Sequence, residues 1–501
     1  MKTLLDRLAR HAVERPHAPA LRDESVQLDY FSLHREVDRL SGALSANKAG
    51  LLLSNGAHWA CLDLALLRGG AVCVPMPEFF SDSQLEHLSR DAGLDMVLTD
   101  NPERVAYLLN ADAHERLEVA GRPVWLFRRD SAGLEGVGRS VPHGTVKITY
   151  TSGTTGQPKG VCLSGDTIQS VINSLCEAVQ ASAEDRALSL LPLSTLLENI
   201  AGLYAPLWVG ALAQVPGPAS CGLTGSSGFQ RRLLLDSLQR YAPTTTILVP
   251  QLLKVITECI ASGMPAPGSL RFVALGGAPS SASLLERARS LGLPVFEGYG
   301  LSEAGSVACL NTPSSERTGS VGRPLPHVRV SIADDGEVLV SGGLFLAYLN
   351  NAEPASTDVW PTGDLGYLDE DGFLFLTGRK KTAYATAYGR NVAPEWVESE
   401  LSSHPLIAQA AVFGEGRPIN VAVLVPRPHT SRRDLIAALD TVNTHLPDYA
   451  RIARWIIADE PFSARNGLAN GAGSVRREAV RLCYEARIEQ LYLSERDHAL
   501  L

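Results

Sequence analysis

Residues 146–160, VKITYTSGTTGQPKG, run an apolar, β-branched stretch straight into a turn of glycines, hydroxyl side chains and one lysine. A helical pattern, DTIQSVINSLCEAVQA, follows at 166–181. A strand that ends in such a turn ahead of a helix places the turn at its carboxyl end, where open α/β sheets bind ligands. Gly153, Gly156 and Gly160 permit tight turns and close approach of backbone to a ligand. Thr151, Ser152, Thr154 and Thr155 offer hydroxyl donors and Lys159 a cation. Backbone N–H groups in a turn of this kind form an anion-binding nest. The string is not the common nucleotide loop G-x-x-x-x-G-K-[ST], because Gly160 follows Lys159 and no glycine directly precedes it.

The rest of the chain keeps the same alternation. LLLSNG (51–56), AVCVPM (71–76) and MVLTD (96–100) read as strands, and 29–46 and 81–93 as helices. At 327–377 the texture turns to β: ADDGEVLV and DEDGFLFL each set Asp-Gly before alternating apolar residues, a hairpin signal. A fresh α/β pattern starts after GRKK (378–381) and runs through EWVESELSSHP, IAQAAVFG, NVAVLVPR and SRRDLIAALDTVNTHL. The expected fold is α/β. A large N-terminal domain of packed α/β sheets with a β-rich subdomain spans 1–378, and a small mobile α+β domain spans 379–501.

The 501 residues carry a formal net charge of −9, which speaks against general nucleic-acid binding. The twelve histidines fall in no metal-ligand spacing, and the eight cysteines form no C-x-x-C pair, as expected of reduced thiols in a cytoplasmic protein. The N-terminus has charges among its apolar residues and lacks a signal-peptide core. Residues 199–214 are uncharged, but Pro206 interrupts them and the run is short of the ~20 residues a spanning helix needs, so a buried helix is expected.

From Tyr150 to Gly160 the chain resembles the phosphate loop of the adenylate-forming superfamily, [YF]-T-S-G-[ST]-T-G-x-P-K-G, which includes acyl-CoA synthetases, peptide-synthetase adenylation domains and luciferases. Further segments follow in the family's order over nearly the whole chain. LPLSTLLEN (191–199) resembles the segment bordering the acyl pocket, with the acidic continuation of long-chain acyl-CoA synthetases, though Thr195 stands where histidine is usual. GGAP, with Gly277, Ala278 and Pro279, resembles the turn against adenine. EGYGLSE (297–303) resembles the nucleotide-binding segment to which Gly298 and Gly300 belong and in which, by that likeness, Tyr299 stacks on adenine, Ser302 reaches phosphate and Glu303 holds Mg²⁺. GSVGRPLP (319–326) matches another family turn. The resemblance also implies ribose contacts from Asp364 of TGD and Arg379 of GRKK, a hinge at Lys381, and a pantetheine tunnel lined by the loop of Gly389.

The implied reaction joins a carboxylic acid to the α-phosphate of ATP, releases pyrophosphate, and passes the acyl group to a thiol. Such chemistry is driven by positioning and by positive charge around the phosphates. Lys159, Glu303 and Arg379 are therefore the candidate catalytic residues, with the position of Ser474. There the family's small-domain segment N-G-x-x-[TP]-x-x-x-K-x-[KR]-R carries a lysine, whereas NGLANGAGSVRR (466–477) carries serine, and no lysine follows Lys381. Arg476 and Arg477 match the basic residues after it. A fatty acid with ATP, Mg²⁺ and CoA is the expected set of reactants. A carrier-protein or amine acceptor, or a degenerate adenylate-binding homologue, are the alternatives.

Overall fold

The computed structural model describes residues 2–128, 141–151, 158–224, 228–350, 358–388, 390–470 and 473–493. The chain forms two compact units. The first comprises Met1–Gly277, Leu291–Ser331 and Leu339–Pro361, and the second Ala278–Ser290, Ile332–Val338 and Thr362–Leu501.

Among the described residues, the first unit holds two large sheets. In the eight-stranded sheet Thr145–Thr151, Val72–Pro75, Lys48–Leu52 and Met96–Thr99 lie side by side and parallel. Lys159–Ser164 then pairs antiparallel with Thr145–Thr151, and Ala347–Tyr348 antiparallel with Lys159–Ser164. In the nine-stranded sheet Val295–Tyr299, Phe272–Leu275, Thr245–Leu248 and Arg186–Leu188 are parallel neighbours. Among the parallel strands Val72–Pro75, Met96–Thr99 and Phe272–Leu275 are short, mainly apolar runs, as strands covered on both faces tend to be. The helix Ala57–Gly69 is buried over its whole length from Ala57 to Leu67, so its sequence shows no polar face.

That helix carries Asp63 into the core, where a charged network closes around it. Lys147 Nζ donates to Asp63 Oδ1 at 2.7 Å, to Asn199 Oδ1 at 2.6 Å and to the Tyr204 hydroxyl at 2.8 Å. Asp63 Oδ2 accepts from Tyr204 Oη at 2.5 Å and from Asn199 Nδ2 at 3.1 Å, and the Cys73 thiol donates to Oδ1 at 3.0 Å. All three ammonium protons are used, which is the condition for tolerating a buried ion pair. The stretch 199–214 differs from the single helix expected. It is a π-helix over Glu198–Tyr204, a short α-helix over Ala205–Val209, and a strand over Leu212–Gln214. The i→i+5 bonding of a π-helix sets residues five apart one turn apart, and so brings Asn199 and Tyr204 to the same ion pair. No described helix is long and apolar enough to cross a membrane.

In the second unit Ile407–Phe413 pairs antiparallel with Asn420–Pro426, which pairs parallel with Ile452–Ile457. Alternation along the strands builds two cores. Ala410, Val412, Ala422 and Leu424 pack with Val397, Leu401, Leu435 and Leu439 of the helices Pro394–Ser403 and Arg432–His445. Ala411, Phe413, Val421 and Val423 pack with Val480, Tyr484 and Ile488 of the helix Arg477–Leu493. Both Asp-Gly turns form as expected, with Gly336 and Gly372 at positive φ (83° and 81°).

Candidate active site

The strand Thr145–Thr151 delivers Tyr150 and Thr151, and its antiparallel partner begins at Lys159, with Thr151 opposite Lys159 and Tyr150 opposite Gly160. A Cβ on Gly160 would lie 3.0–3.1 Å from Ile148, Leu349 and Tyr150, so the close pairing needs glycine there. Ser152, Gly153, Thr154, Thr155 and Gly156 lie outside the described residues, as does Gly389.

Lys159 is exposed, and its ammonium stands 5.5 Å from the ring centroid of Tyr348. The Tyr348 hydroxyl donates to Glu303 Oε1 at 2.6 Å, and the Glu303 carbonyl accepts from the Phe345 N–H at 2.8 Å. Tyr348 is held edge-on to Phe345 (centroids 5.0 Å apart) and to Trp360 (5.9 Å). Burial, then the bond to Glu303, push the phenol well above its ordinary pKa, so it stays a donor. The structure thus brings together Lys159 and Glu303 through Tyr348, a residue that no sequence motif singles out. Tyr348 takes Oε1, which leaves Oε2 for a cation. Mg²⁺ suits such a place, since it binds through one or two carboxylates and phosphate oxygens rather than a protein cage. Among the described residues no group of three or more His, Cys, Asp or Glu is gathered as a metal site.

Ser302 and Glu303 sit in a 3₁₀ turn after the strand that ends at Tyr299. Gly300 is forced, because a Cβ would fall 1.6 Å from the Ser306 carbonyl oxygen. A Cβ on Gly298 would meet Leu310 at 2.9 Å. Gly276 and Gly277 follow the adjacent parallel strand, with Gly277 at φ 82°. Tyr299, half-buried, and this glycine pair therefore occupy neighbouring carboxyl ends of one parallel sheet, where ligands bind.

The LPLST segment follows the carboxyl end of Arg186–Leu188 in the same sheet. Thr195 spends its hydroxyl on the Pro192 carbonyl at 2.7 Å. Asn55, missed in the sequence, grips the segment from the other sheet by donating to the Leu191 carbonyl (2.8 Å) and accepting from the Leu193 N–H (2.7 Å). Glu198, fully buried, accepts from the Leu191 N–H at 3.2 Å, and burial pushes its carboxyl up to about 8.

Ala278, Pro279, Asp364, Arg379 and Ser474 belong to the second unit. Asp364 lies opposite Arg379 across the antiparallel strands Val359–Leu368 and Leu374–Arg379, with Arg379 Nε 2.8 Å from Asp364 Oδ1. The carboxylate is buried, whereas the Arg379 side chain is 58% exposed. Next to it, Lys380 bonds Asp335 (2.6 Å) and Glu337 (2.8 Å).

Ser474 is exposed in a tight reversal: its N–H bonds Asn470 Oδ1 at 2.9 Å and its carbonyl accepts from the Asn470 N–H at 2.8 Å. Arg477 grips Glu398 through two bonds of 2.8 and 2.7 Å and Glu395 through one of 2.9 Å. It is a structural clamp with its guanidinium committed. Arg476 is exposed, bonded at 3.3 Å to the Gly467 carbonyl.

The model of the AMP-binding enzyme family matches residues 8–346, and that of the AMP-binding enzyme C-terminal domain matches 383–496. The chain is an adenylate-forming, AMP-binding enzyme. Its fold is that family's, a mixed α/β large domain and a smaller C-terminal one. Within the family it is acyl-CoA-ligase-like. It is 28% identical to a long-chain-fatty-acid–CoA ligase, FadD15, of Mycobacterium bovis, over 91% of this chain and 89% of the relative. It is 28% identical to a fatty acid–[acyl-carrier-protein] ligase, ScoC, of Streptomyces coeruleorubidus, over 87% and 89%. It also resembles the O-succinylbenzoate coenzyme A synthetase of Bacillus subtilis, solved in complex with ATP and magnesium ion. There the TM-score is 0.73 at 26% identity, over 94% of this chain and 98% of that one.

Proposed function

We propose that the enzyme activates a fatty acid of medium or long chain with MgATP, forming an acyl-adenylate and pyrophosphate, and then transfers the acyl group to the thiol of CoA. The observation that carries the reading is the junction of Lys159 and Glu303 at Tyr348 beside the glycine-rich segment. It gathers a cation and a metal-ready carboxylate where the triphosphate would lie. In this reading Lys159 and residues 151–156 hold the β- and γ-phosphates, Glu303 the Mg²⁺, and Ser302 a phosphate oxygen. Tyr299, Gly298, Gly300 and the 277–279 turn hold adenine, and Asp364 and Arg379 the ribose. The Arg379–Asp364 pair supports the last assignment, because it fixes a carboxylate that can accept from two hydroxyls. No general base is needed, since a carboxylic acid is ionised near pH 7.

Residues 379–501 act in this account as the small domain that turns at Lys381 and brings the loop of Gly389 to bear on the thiol. Ser474 supplies no cation, and Arg477 is bound to Glu395 and Glu398. Adenylation is therefore slow, with Arg476 the guanidinium of that segment still exposed to serve it. The fatty acid is favoured by the likeness to FadD15 and by the LPLSTLLEN segment. Free thiols support a cytoplasmic setting.

A second reading changes the acceptor to a carrier-protein phosphopantetheine, and the likeness to ScoC favours it. Mass spectrometry of acyl products separates the two, with fatty acids of graded length, aromatic acids, MgATP, and either CoA or an acyl-carrier protein. Acyl-CoA formation supports the first reading. Acylated carrier without acyl-CoA transfers the assignment to the second. Products from aromatic acids alone overturn the fatty-acid substrate.

A further inference from the structure

One face of the helix Asp82–Ala92 touches both ends of the glycine-rich segment. Tyr150, on the strand that enters the segment, donates its hydroxyl to Asp91 Oδ2 at 2.9 Å. Pro158, on the way out, has its carbonyl oxygen 3.2 Å from His87 Nε2. A carbonyl only accepts, so that nitrogen carries the proton. His87 and Asp91 stand four positions apart in a helix and so project from the same side. The other Asp91 oxygen accepts from Asn350 Nδ2 at 2.7 Å. Asn350 follows Leu349, whose N–H bonds the Gly160 carbonyl at 2.7 Å, and Tyr348, which holds Glu303.

The helix is a firm base for these contacts. Leu85, Leu88, Ser89 and Ala92 are buried, Ser81 and Gln84 form a capping box, and Gly93 ends the helix at φ 59°.

We propose that Asp91 and His87 are positioning residues for the triphosphate end of ATP. Asp91 fixes the strand before the segment to the strand that carries Tyr348, and His87 fixes the residue before Lys159. The inference rests on the adenylate-forming reading above. It makes a distinction that a merely structural role does not. AMP lacks the β- and γ-phosphates, so its binding is indifferent to this brace, whereas a general loosening of the unit weakens both nucleotides.

The test is equilibrium binding of MgATP and of AMP to the full chain and to Asp91→Ala, Asp91→Asn and His87→Ala. Loss of a hydrogen bond to a charged group corresponds to about tenfold. Asp91→Ala is expected to weaken MgATP by about tenfold or more with AMP changed less than about twofold, and His87→Ala by about threefold. Asp91→Asn, which keeps one acceptor oxygen for Tyr150, falls between Asp91→Ala and the unmodified chain. Should Asp91→Ala not fold, His87→Ala, on a partly exposed side chain, carries the test. Unchanged MgATP affinity in the variants, or equal weakening of MgATP and AMP, overturns the inference alone. An unmodified chain that binds neither nucleotide overturns the adenylation reading and this inference together.

Discussion

The Tyr348 hydroxyl donates to Glu303 Oε1 at 2.6 Å while its ring stands 5.5 Å from the Lys159 ammonium. One aromatic residue thus meets both charged groups proposed to handle the phosphates. Removing the hydroxyl in Tyr348→Phe keeps the ring against Phe345 and Trp360 but frees the carboxylate to rotate. A hydrogen bond to a charged group is worth about 1.5–3 kcal/mol. Steady-state assays are expected to show an activity loss of about tenfold to a hundredfold with little change in melting temperature. Full activity in Tyr348→Phe would mean that Glu303 needs no such orientation.

The buried Asp63–Lys147 pair makes a stability prediction. Lys147→Met leaves an uncompensated carboxylate in the core, and breaking such a pair from one side costs about 3–5 kcal/mol. Urea unfolding measures it. The double variant Asp63→Leu, Lys147→Met is expected to recover most of the loss, because no charge then remains buried alone.

Glu198 gives a pH dependence. Its folded carboxyl is pushed up to about 8 from an ordinary value of 4.5. Between those limits the folded state holds a proton that the unfolded chain has lost, so this group makes stability fall as pH rises, by about 1.4 kcal/mol per unit. Glu198→Gln removes the slope. Its melting temperature should gain on that of the unmodified chain from pH 5 to pH 8. A constant difference across that range would contradict a neutral Glu198.

Two changes in the C-terminal segment should behave oppositely. Arg477→Ala breaks the clamp on Glu395 and Glu398 and is expected to destabilise the second unit by about 3 kcal/mol. Ser474→Lys touches only a surface reversal and leaves stability within about 0.5 kcal/mol. It restores a cation, and adenylation should speed up by about tenfold to a hundredfold. An unchanged rate would show that another group already serves.

What the sequence made legible was local. The strand before the glycine-rich segment and the helix after it, both Asp-Gly hairpins and the repeated α/β texture follow from side-chain periodicity within a few residues, whereas the strand Lys159–Ser164, which returns antiparallel to Thr145–Thr151 ahead of that helix, was not read. The ordered motifs, too, are contiguous strings. Tyr348 was hidden because L-A-Y has no distinctive neighbourhood, and its role depends on a strand pairing with Val161. Asn55 was hidden because its partners, Leu191 and Leu193, lie 136 and 138 positions away in the chain, in the segment after a strand of the other sheet. The π-helix escaped because Asn199 and Tyr204 read as part of an apolar run until Asp63 and Lys147 are brought to them. Arg477 matched a basic position of the family segment, and only its contacts with Glu395 and Glu398 reveal a clamp.

The reaction proposed for this chain begins with the formation of an acyl-adenylate. Acid-dependent exchange of labelled pyrophosphate into ATP isolates that step from the choice of thiol. With Mg²⁺ and a panel of fatty and aromatic acids, exchange is expected with at least one acid, abolished by omitting Mg²⁺ and raised by Ser474→Lys. Exchange no greater with any acid than without, in both the unmodified chain and Ser474→Lys, would contradict the account.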